Sequence, residues 1–125
     1  MKHRLFIILT LALLATGCAT ATKSSGAGAG DSDSNLLTTA QIDASGLPNA
    51  YELVSRLRRA WLRNDPVTGG PVTVYMDDRE IGGAEKLREI PAVTIAELRL
   101  VRNEEAIMRW SPSIRGSVIV VVPRR

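Results

Sequence analysis

The chain has 125 residues, with 16 lysines and arginines against 13 aspartates and glutamates, one histidine, one cysteine and only 4% aromatic residues. This length excludes more than one modest domain, because single domains typically span about 100–150 residues. The sequence pI of about 9.5 raises the question of a nucleic-acid or anionic-membrane partner, so the location of the basic residues decides the interpretation.

The first 17 residues predict an export signal. Lys2, His3 and Arg4 precede an apolar run over residues 5–15, which is shorter than the ~20 residues of a membrane-spanning helix. A basic start, a short apolar segment and a small-residue exit are typical of a secretory signal peptide. Removing residues 1–17 leaves 108 residues with 14 basic and 13 acidic side chains and no histidine. We therefore expect no nucleic-acid partner.

Residues 14–18 read Leu-Ala-Thr-Gly-Cys and resemble the lipobox of bacterial lipoproteins. The resemblance implies that Cys18 is diacylated, becomes the new N-terminus and is then acylated again. It also implies an outer-membrane address facing the periplasm, because Ala19 stands where an aspartate would signal retention in the inner membrane. The expected partners therefore include the membrane itself, through the lipid anchor.

Residues 18–35 predict a flexible tether, and residues 36–125 predict the folded domain. After Cys18 the tether contains small and polar residues almost throughout, including Gly-Ala-Gly-Ala-Gly at 26–30, and has little to bury. About 17 such residues have an r.m.s. span of ~20–25 Å. That span is enough to hold a domain clear of lipid headgroups.

The first element of the domain is a predicted helix over residues 49–63. Asn49 followed by Glu52 indicates a helix N-terminus. Six residues at helical spacing form its apolar face: Ala50, Leu53, Val54, Leu57, Ala60 and Trp61. The other side carries Arg56, Arg59 and Arg63. Those arginines are either a patch for an anionic ligand or headgroup, or a solvated helix face, which is the commoner meaning of such a pattern.

Strands and short helices alternate in the rest of the chain. Residues 72–76, 95–101 and 116–122 predict strands, the last covered on both faces because its apolar run is unbroken. Residues 84–90 and 103–110 predict short helices, the second with Ala106, Ile107 and Trp110 as its buried side. The order predicts an α+β fold, a small mixed sheet of three to four strands with packed helices.

Few residues could support catalysis or metal binding. His3 lies in the predicted signal peptide and Cys18 in the predicted lipid anchor. The paired carboxylates Asp77-Asp78 and Glu104-Glu105 are sequence neighbours, which diverge on either a strand or a helix. We therefore expect no enzymatic activity, no metal and no cofactor.

Several segments follow one another in a recognisable order. Residues 71–77 read Pro-Val-Thr-Val-Tyr-Met-Asp, 81–83 Ile-Gly-Gly, 87–91 Leu-Arg-Glu-Ile-Pro, 95–102 Ile-Ala-Glu-Leu-Arg-Leu-Val-Arg, and 116–120 Gly-Ser-Val-Ile-Val. Together with Glu105-Ala106 and Trp110, this order resembles the plug domain of TonB-dependent outer-membrane receptors. Asp78 replaces the usual turn glycine, so either a non-glycine residue adopts positive φ or the turn is of another type. Ser111-Pro112 replaces the small glycine after the aromatic residue, and residues 19–35 contain no recognisable TonB box.

The resemblance implies a fold and an envelope address, but not a receptor. Even a barrel of 8 strands at ~9–11 residues each would take about 80 residues and leave no room for a plug. We expect an interaction module that binds an envelope protein, such as an outer-membrane receptor or barrel, or a small ligand. The alternative is a structural lipoprotein without a specific ligand. The expected contacts are the turn over residues 77–83 and the loop over residues 110–116, with Asp77, Asp78, Arg79, Gly82, Gly83, Trp110 and Arg115. The alternative for Trp110 is packing in the core, which is the commoner role of such a residue.

Overall fold

The structure is a computed structural model that describes residues 34–125. The predicted signal peptide, Cys18 and most of the predicted tether lie outside the described residues. The strands are β1 (Leu36–Leu37), β2 (Thr73–Met76), β3 (Arg79–Gly83), β4 (Ile95–Val101) and β5 (Val118–Pro123), and the α-helices are α1 (Thr39–Ser45), α2 (Ala50–Leu57) and α3 (Asn103–Arg109). Three 3-10 segments span Arg59–Leu62, Ala84–Glu89 and Ala92–Thr94.

The strands form one open mixed sheet in the order β1-β4-β5-β2-β3. β2 and β5 run parallel, and the other neighbouring pairs run antiparallel. This confirms the α+β class, but the expectation of three to four strands is wrong because the sheet has five. β1 is only two residues long and shows no alternation, and β3 ends in Gly82-Gly83, which has the composition of a turn.

Both faces of the sheet are covered, and β5 contributes to both. Ile119 and Val121 lie in the larger core, under α1, α2 and the 3-10 segments. Val118 and Val120 lie in a smaller core with Ala106 of α3. The unbroken apolar run of the last strand thus has the two covered faces that its composition predicts, although Val122 is 38% exposed.

The predicted helix over residues 49–63 is two elements. α2 begins as expected, with the Asn49 side chain accepting a hydrogen bond from the Glu52 backbone N–H at 3.0 Å. It ends at Leu57 because Arg58 leaves the helical region at φ −142°, and a 3-10 segment follows. Leu57 and Ala60 are consequently exposed, contrary to the predicted apolar face, whereas Trp61 is buried.

The other elements match their predicted positions more closely. β4 spans the predicted residues 95–101, but a bulge between Ile95 and Glu97 shifts the alternation of its faces. Residues 84–89 form a 3-10 segment instead of an α-helix. In α3, Ala106 is buried, but Ile107 is 36% exposed, so its predicted burial is wrong. No helix among residues 34–125 combines the length and apolar character that crossing a bilayer requires.

Candidate functional site

The β2–β3 hairpin turns through two aspartates in the left-handed region. Asp77 has φ 50° and Asp78 has φ 59°, and the strands resume pairing at Met76 and Arg79. A two-residue hairpin turn with positive φ at both positions is of type I′. Of the two conformations that the sequence left open, the chain therefore adopts positive φ at a non-glycine residue. Such a conformation costs about 1 kcal/mol per residue, and aspartate tolerates it better than most side chains.

The side chain of Asp78 joins this turn to the end of α3. Its Oδ1 accepts a hydrogen bond from the indole Nε1 of Trp110 at 3.2 Å and another from Nη2 of Arg109, also at 3.2 Å. Two loops that lie about thirty residues apart in the sequence are thus held together by one carboxylate. These contacts help to maintain the strained turn, as expected where surrounding structure stabilises an unusual backbone conformation.

Aromatic stacking continues the contact into the sheet. The Arg109 guanidinium lies over the Trp110 ring at 4.7 Å from its centroid. The Trp110 ring packs in turn on Tyr75 of β2, with centroids 4.6 Å apart and planes tilted by 35°. Trp110 is half-buried, so it serves both the core and the surface. We call Tyr75, Asp77, Asp78, Arg109 and Trp110 the hairpin–helix corner.

The phenol of Tyr75 is kept neutral within this corner. Its hydroxyl donates a hydrogen bond to Oε2 of Glu80 at 3.5 Å. Burial is the main cause that raises the pKa of Tyr75 above its ordinary value of 10.0, and the charge of Glu80 and the hydrogen bond to it add to the effect. The hydroxyl is therefore a hydrogen-bond donor, not a base, at neutral pH.

Exposed apolar side chains flank the corner on α3. Met108 is 82% exposed and Ile107 is 36% exposed, and both directly precede Arg109 in the sequence. Methionine is a flexible, polarisable side chain that is common at protein-binding surfaces. Apolar side chains beside a fixed charged and aromatic cluster are features of protein interfaces.

Not all of the seven predicted contact residues lie in this corner. Asp77, Asp78 and Trp110 are close together. Arg79 begins β3, while Gly82 and Gly83 end it beside the 3-10 segment Ala84–Glu89. The expected turn over residues 77–83 is therefore wrong beyond its first two residues, because the remaining five form a strand.

Arg115 lies at the far end of β2 from the hairpin. Its carbonyl oxygen accepts a hydrogen bond from the hydroxyl of Thr68, in the loop that leads into β2. A Cβ on Gly70 would collide with the Arg115 backbone, so this glycine is required for the close approach of the two loops. The loop over residues 110–116 thus begins in the hairpin–helix corner and ends near the start of β2, at the other end of that strand.

Asn103 fixes the course of that loop. It is buried, and its Nδ2 donates hydrogen bonds to the carbonyl oxygens of Ile114 at 3.1 Å and Gly116 at 3.2 Å. Sequence reasoning missed this role because an asparagine at the start of a helix has the appearance of a cap. The cap position is instead Arg102. No signal in the sequence marks Asn103 as buried, because its burial depends on the 110–116 loop that folds over it.

Asp65 organises the loop between the 3-10 segment Arg59–Leu62 and β2. Its Oδ1 accepts backbone hydrogen bonds from Val67 and Thr68, each at 2.9 Å. The Thr68 N–H is the first cause that lowers the pKa of Asp65 below its ordinary value of 3.8. The carboxylate is therefore ionised at neutral pH and has a structural role. Among residues 34–125, no three side chains of histidine, cysteine, aspartate or glutamate form a group that could hold a metal ion.

Comparison with known proteins identifies no family for this chain, so its class is described by its fold alone. No protein-family model, no curated protein and no solved structure matches the sequence or the fold. The structure itself defines an α+β domain with an open mixed sheet of five strands and a surface corner built from a strained hairpin and a helix end.

Proposed function

We propose that this chain is a lipid-anchored interaction module of the bacterial outer membrane, facing the periplasm, which binds an envelope protein through the hairpin–helix corner. The observation that carries the binding role is the Asp78 carboxylate, which joins the hairpin turn to Arg109 and Trp110 in one surface. Strained backbone of this kind concentrates at functional sites. The exposed side chain of Met108 supplies apolar area beside it.

A protein partner fits this surface better than a small ligand does. The corner combines a turn and a helix end, and its polar groups are exposed: the side chains of Arg109 and Asp78 are 46% and 66% accessible. Small-molecule sites are concave and enclose most of the ligand. An aromatic and arginine cluster with a neighbouring methionine has the composition of a protein-interface hot spot.

The anchoring part of the proposal depends on the sequence at Cys18. The plug-like part depends on the order of segments, which supports a domain similar to the plug of TonB-dependent receptors. A strand at 73–76, a turn at 77–78, a 3-10 segment before Pro91, a strand at 95–101 and a last strand at 118–123 follow in the order that the resemblance implies. A receptor or barrel protein of the same membrane is accordingly the partner we propose.

Site-specific crosslinking tests the binding surface. A photoreactive amino acid replaces Met108 in one variant and Val93, which is 77% exposed on the 3-10 segment Ala92–Thr94, in the control. We expect Met108 to crosslink a defined envelope protein in whole cells, and Val93 not to. Adding Asp78→Ala should abolish the crosslink, because the two loops are no longer joined. Identical crosslinking from both positions, or no effect of Asp78→Ala, would reject the corner as the binding surface.

Membrane fractionation tests the anchor separately. The variant Cys18→Ser should move from the membrane fraction to the periplasmic or unprocessed fraction, since the acyl acceptor is removed. A fully membrane-bound serine variant would refute the anchor. If the crosslink is absent and replacing the whole folded domain leaves the cells unchanged, the chain is a structural lipoprotein, and the binding role is wrong.

A further inference from the structure

A cleft lined by arginines opens where the described chain begins. It has a volume of about 430 Å³, and its walls include Ser34, Arg58, Arg59, Trp61 and Arg102. The indole Nε1 of Trp61 donates a hydrogen bond to the Ser34 carbonyl at 3.1 Å. Ser34, the first described residue, therefore lies at this cleft. We call it the arginine cleft.

The arginine cleft is lined by basic side chains although the chain as a whole is nearly balanced in charge. Three arginines line it, and no carboxylate does among the described residues. An adjoining cleft of about 490 Å³ shares its Trp61 and Arg102 wall and adds Arg63, with Asp65 and Glu104 as the acidic groups. Asp65 is already engaged by its own loop.

Arg59 and Arg63 provide the exposed charge of this region. Both side chains are exposed, and within residues 34–125 neither forms an ion pair. By contrast, Arg56 of the same predicted helix is paired with Glu52 at 3.3 Å. The break of the helix at Arg58 thus separates the three arginines of the predicted face and turns two of them toward the clefts.

We infer that the arginine cleft binds the phosphate groups of anionic lipid headgroups, and so seats the domain on the membrane that holds its anchor. The inference rests on the lipid anchor proposed above. Guanidinium groups match phosphate oxygens in a planar, two-bonded geometry. Basic residues next to a membrane attachment point are attracted by the negative surface potential of anionic lipids. Ser34 lines this cleft and stands 16 positions after Cys18 in the sequence, so the cleft contains the described residue closest to the proposed anchor along the chain.

The size of the expected effect follows from the charges. Each arginine close to an anionic bilayer strengthens association about fivefold. Removing the charges of Arg59 and Arg63 therefore lowers the docking equilibrium constant about 25-fold. The mature chain has a formal charge of only +1, so general attraction of the whole molecule is weak, and the local arginines account for the docking.

Fluorescence quenching by brominated lipids measures the docking directly. The full-length protein, purified in its lipidated form, is reconstituted into vesicles of brominated phosphatidylcholine, alone or with brominated phosphatidylglycerol. With Trp110→Phe, Trp61 is the one remaining tryptophan. We expect stronger quenching of Trp61 in the anionic vesicles than in the neutral ones. The paired substitution Arg59→Gln with Arg63→Gln should abolish this difference.

The matched control removes the same charge elsewhere. Arg79→Gln with Arg88→Gln alters two exposed arginines that line neither cleft, and the difference in quenching should persist. If both pairs reduce it equally, or if anionic lipid has no effect, docking at the cleft is wrong. If inorganic phosphate at the headgroup concentration cancels the difference, the cleft is a site for a free anion, and membrane docking is again wrong.

Two further outcomes are separable. If anionic lipid strengthens the quenching of Trp61 only after Asp31→Asn with Asp33→Asn, the acidic residues before Ser34 occupy the arginine cleft. The lipid proposal is then overturned. Failure of the protein to remain with neutral vesicles would refute the anchor and, with it, the seating on that membrane. If the protein stays with neutral vesicles but Trp61 is quenched equally in neutral and anionic vesicles, the docking of the cleft is refuted. The lipid anchor is then still supported.

Discussion

Replacing Asp78 by glycine tests whether the side-chain contacts of the hairpin–helix corner stabilise the domain. Two effects oppose each other in this variant. Glycine removes the left-handed strain at φ 59°, but it also removes the acceptor of Arg109 and Trp110. Asp77→Gly is the matched control, since Asp77 has the same backbone conformation and its side chain makes neither of these contacts.

The magnitudes favour a clear difference between the two variants. Relief of strain stabilises the fold by about 1 kcal/mol, and the extra freedom of glycine in the unfolded chain offsets about 0.5–1 kcal/mol of it. Asp77→Gly should therefore lie within about 0.5 kcal/mol of the parent protein. For Asp78→Gly, loss of the exposed pair with Arg109 costs about 0.2–1 kcal/mol, and loss of the indole hydrogen bond costs about 0.5–1.5 kcal/mol.

Urea unfolding at neutral pH, followed by tryptophan fluorescence of protein produced from Ala19 onward, gives the free energies. We expect Asp78→Gly to be about 1–2 kcal/mol less stable than Asp77→Gly, because the backbone effects cancel between them. Asp78→Asn, which keeps one acceptor oxygen, should be intermediate. If the two glycine variants agree within about 0.3 kcal/mol, the Asp78 contacts contribute nothing net, and the corner is not held together by this carboxylate.

Three further predictions concern the loop and the sheet around the corner. Asn103→Ala should cost about 1–3 kcal/mol because it leaves two carbonyl oxygens of the 110–116 loop without their donor; urea unfolding and hydrogen exchange of that loop measure it. Gly116→Ala should cost about 1–3 kcal/mol in the same assay, since its Cβ would meet the backbone of Pro71. Tyr75 has a raised pKa in the folded state, so its contribution to stability is complete below pH 10.0 and is lost as pH rises through the folded value. Tyr75→Phe should therefore flatten the fall of the melting temperature above about pH 10.

Each of these predictions has an outcome that contradicts it. Unchanged exchange of residues 111–117 in Asn103→Ala would mean that the asparagine does not fix the loop. A Gly116→Ala protein as stable as its parent would show that the two loops separate without cost. If the melting temperature of Tyr75→Phe falls above about pH 10 as much as that of the parent protein, a group other than Tyr75 causes this loss of stability.

The elements with a clear local pattern were predictable, and those that depend on distant contacts were not. β4 occupies the predicted residues 95–101 because alternating side chains between Pro91 and a helix start determine a strand locally. β1 pairs with β4 across about sixty residues of sequence, and its two residues contain no pattern to detect. The break at Arg58 is likewise unmarked, because arginine is a good helix former.

The loops of the candidate site were predictable from the sequence, but the contacts that join these loops were not. Composition identified Asp77, Asp78 and Trp110 as turn or loop residues, which is a local property. The hydrogen bond from Trp110 to Asp78 joins residues 32 positions apart, and no periodicity encodes it. The arginine cleft forms for a similar reason: Arg102 follows β4, whereas Arg58 and Arg59 follow α2. Only the folded chain brings these side chains together.

The position of β5 in the sheet determines when the domain can form. β5 is the last described strand in the sequence, but it lies in the middle of the sheet and joins the β1–β4 half to the β2–β3 half. Until residues 118–123 are present, the two halves have no strand between them, so the nascent chain lacks a complete sheet. Pairings between distant segments also form slowly. Under the export proposed above, this arrangement would delay folding until residues 118–123 have crossed the membrane, and would keep the polypeptide competent for translocation.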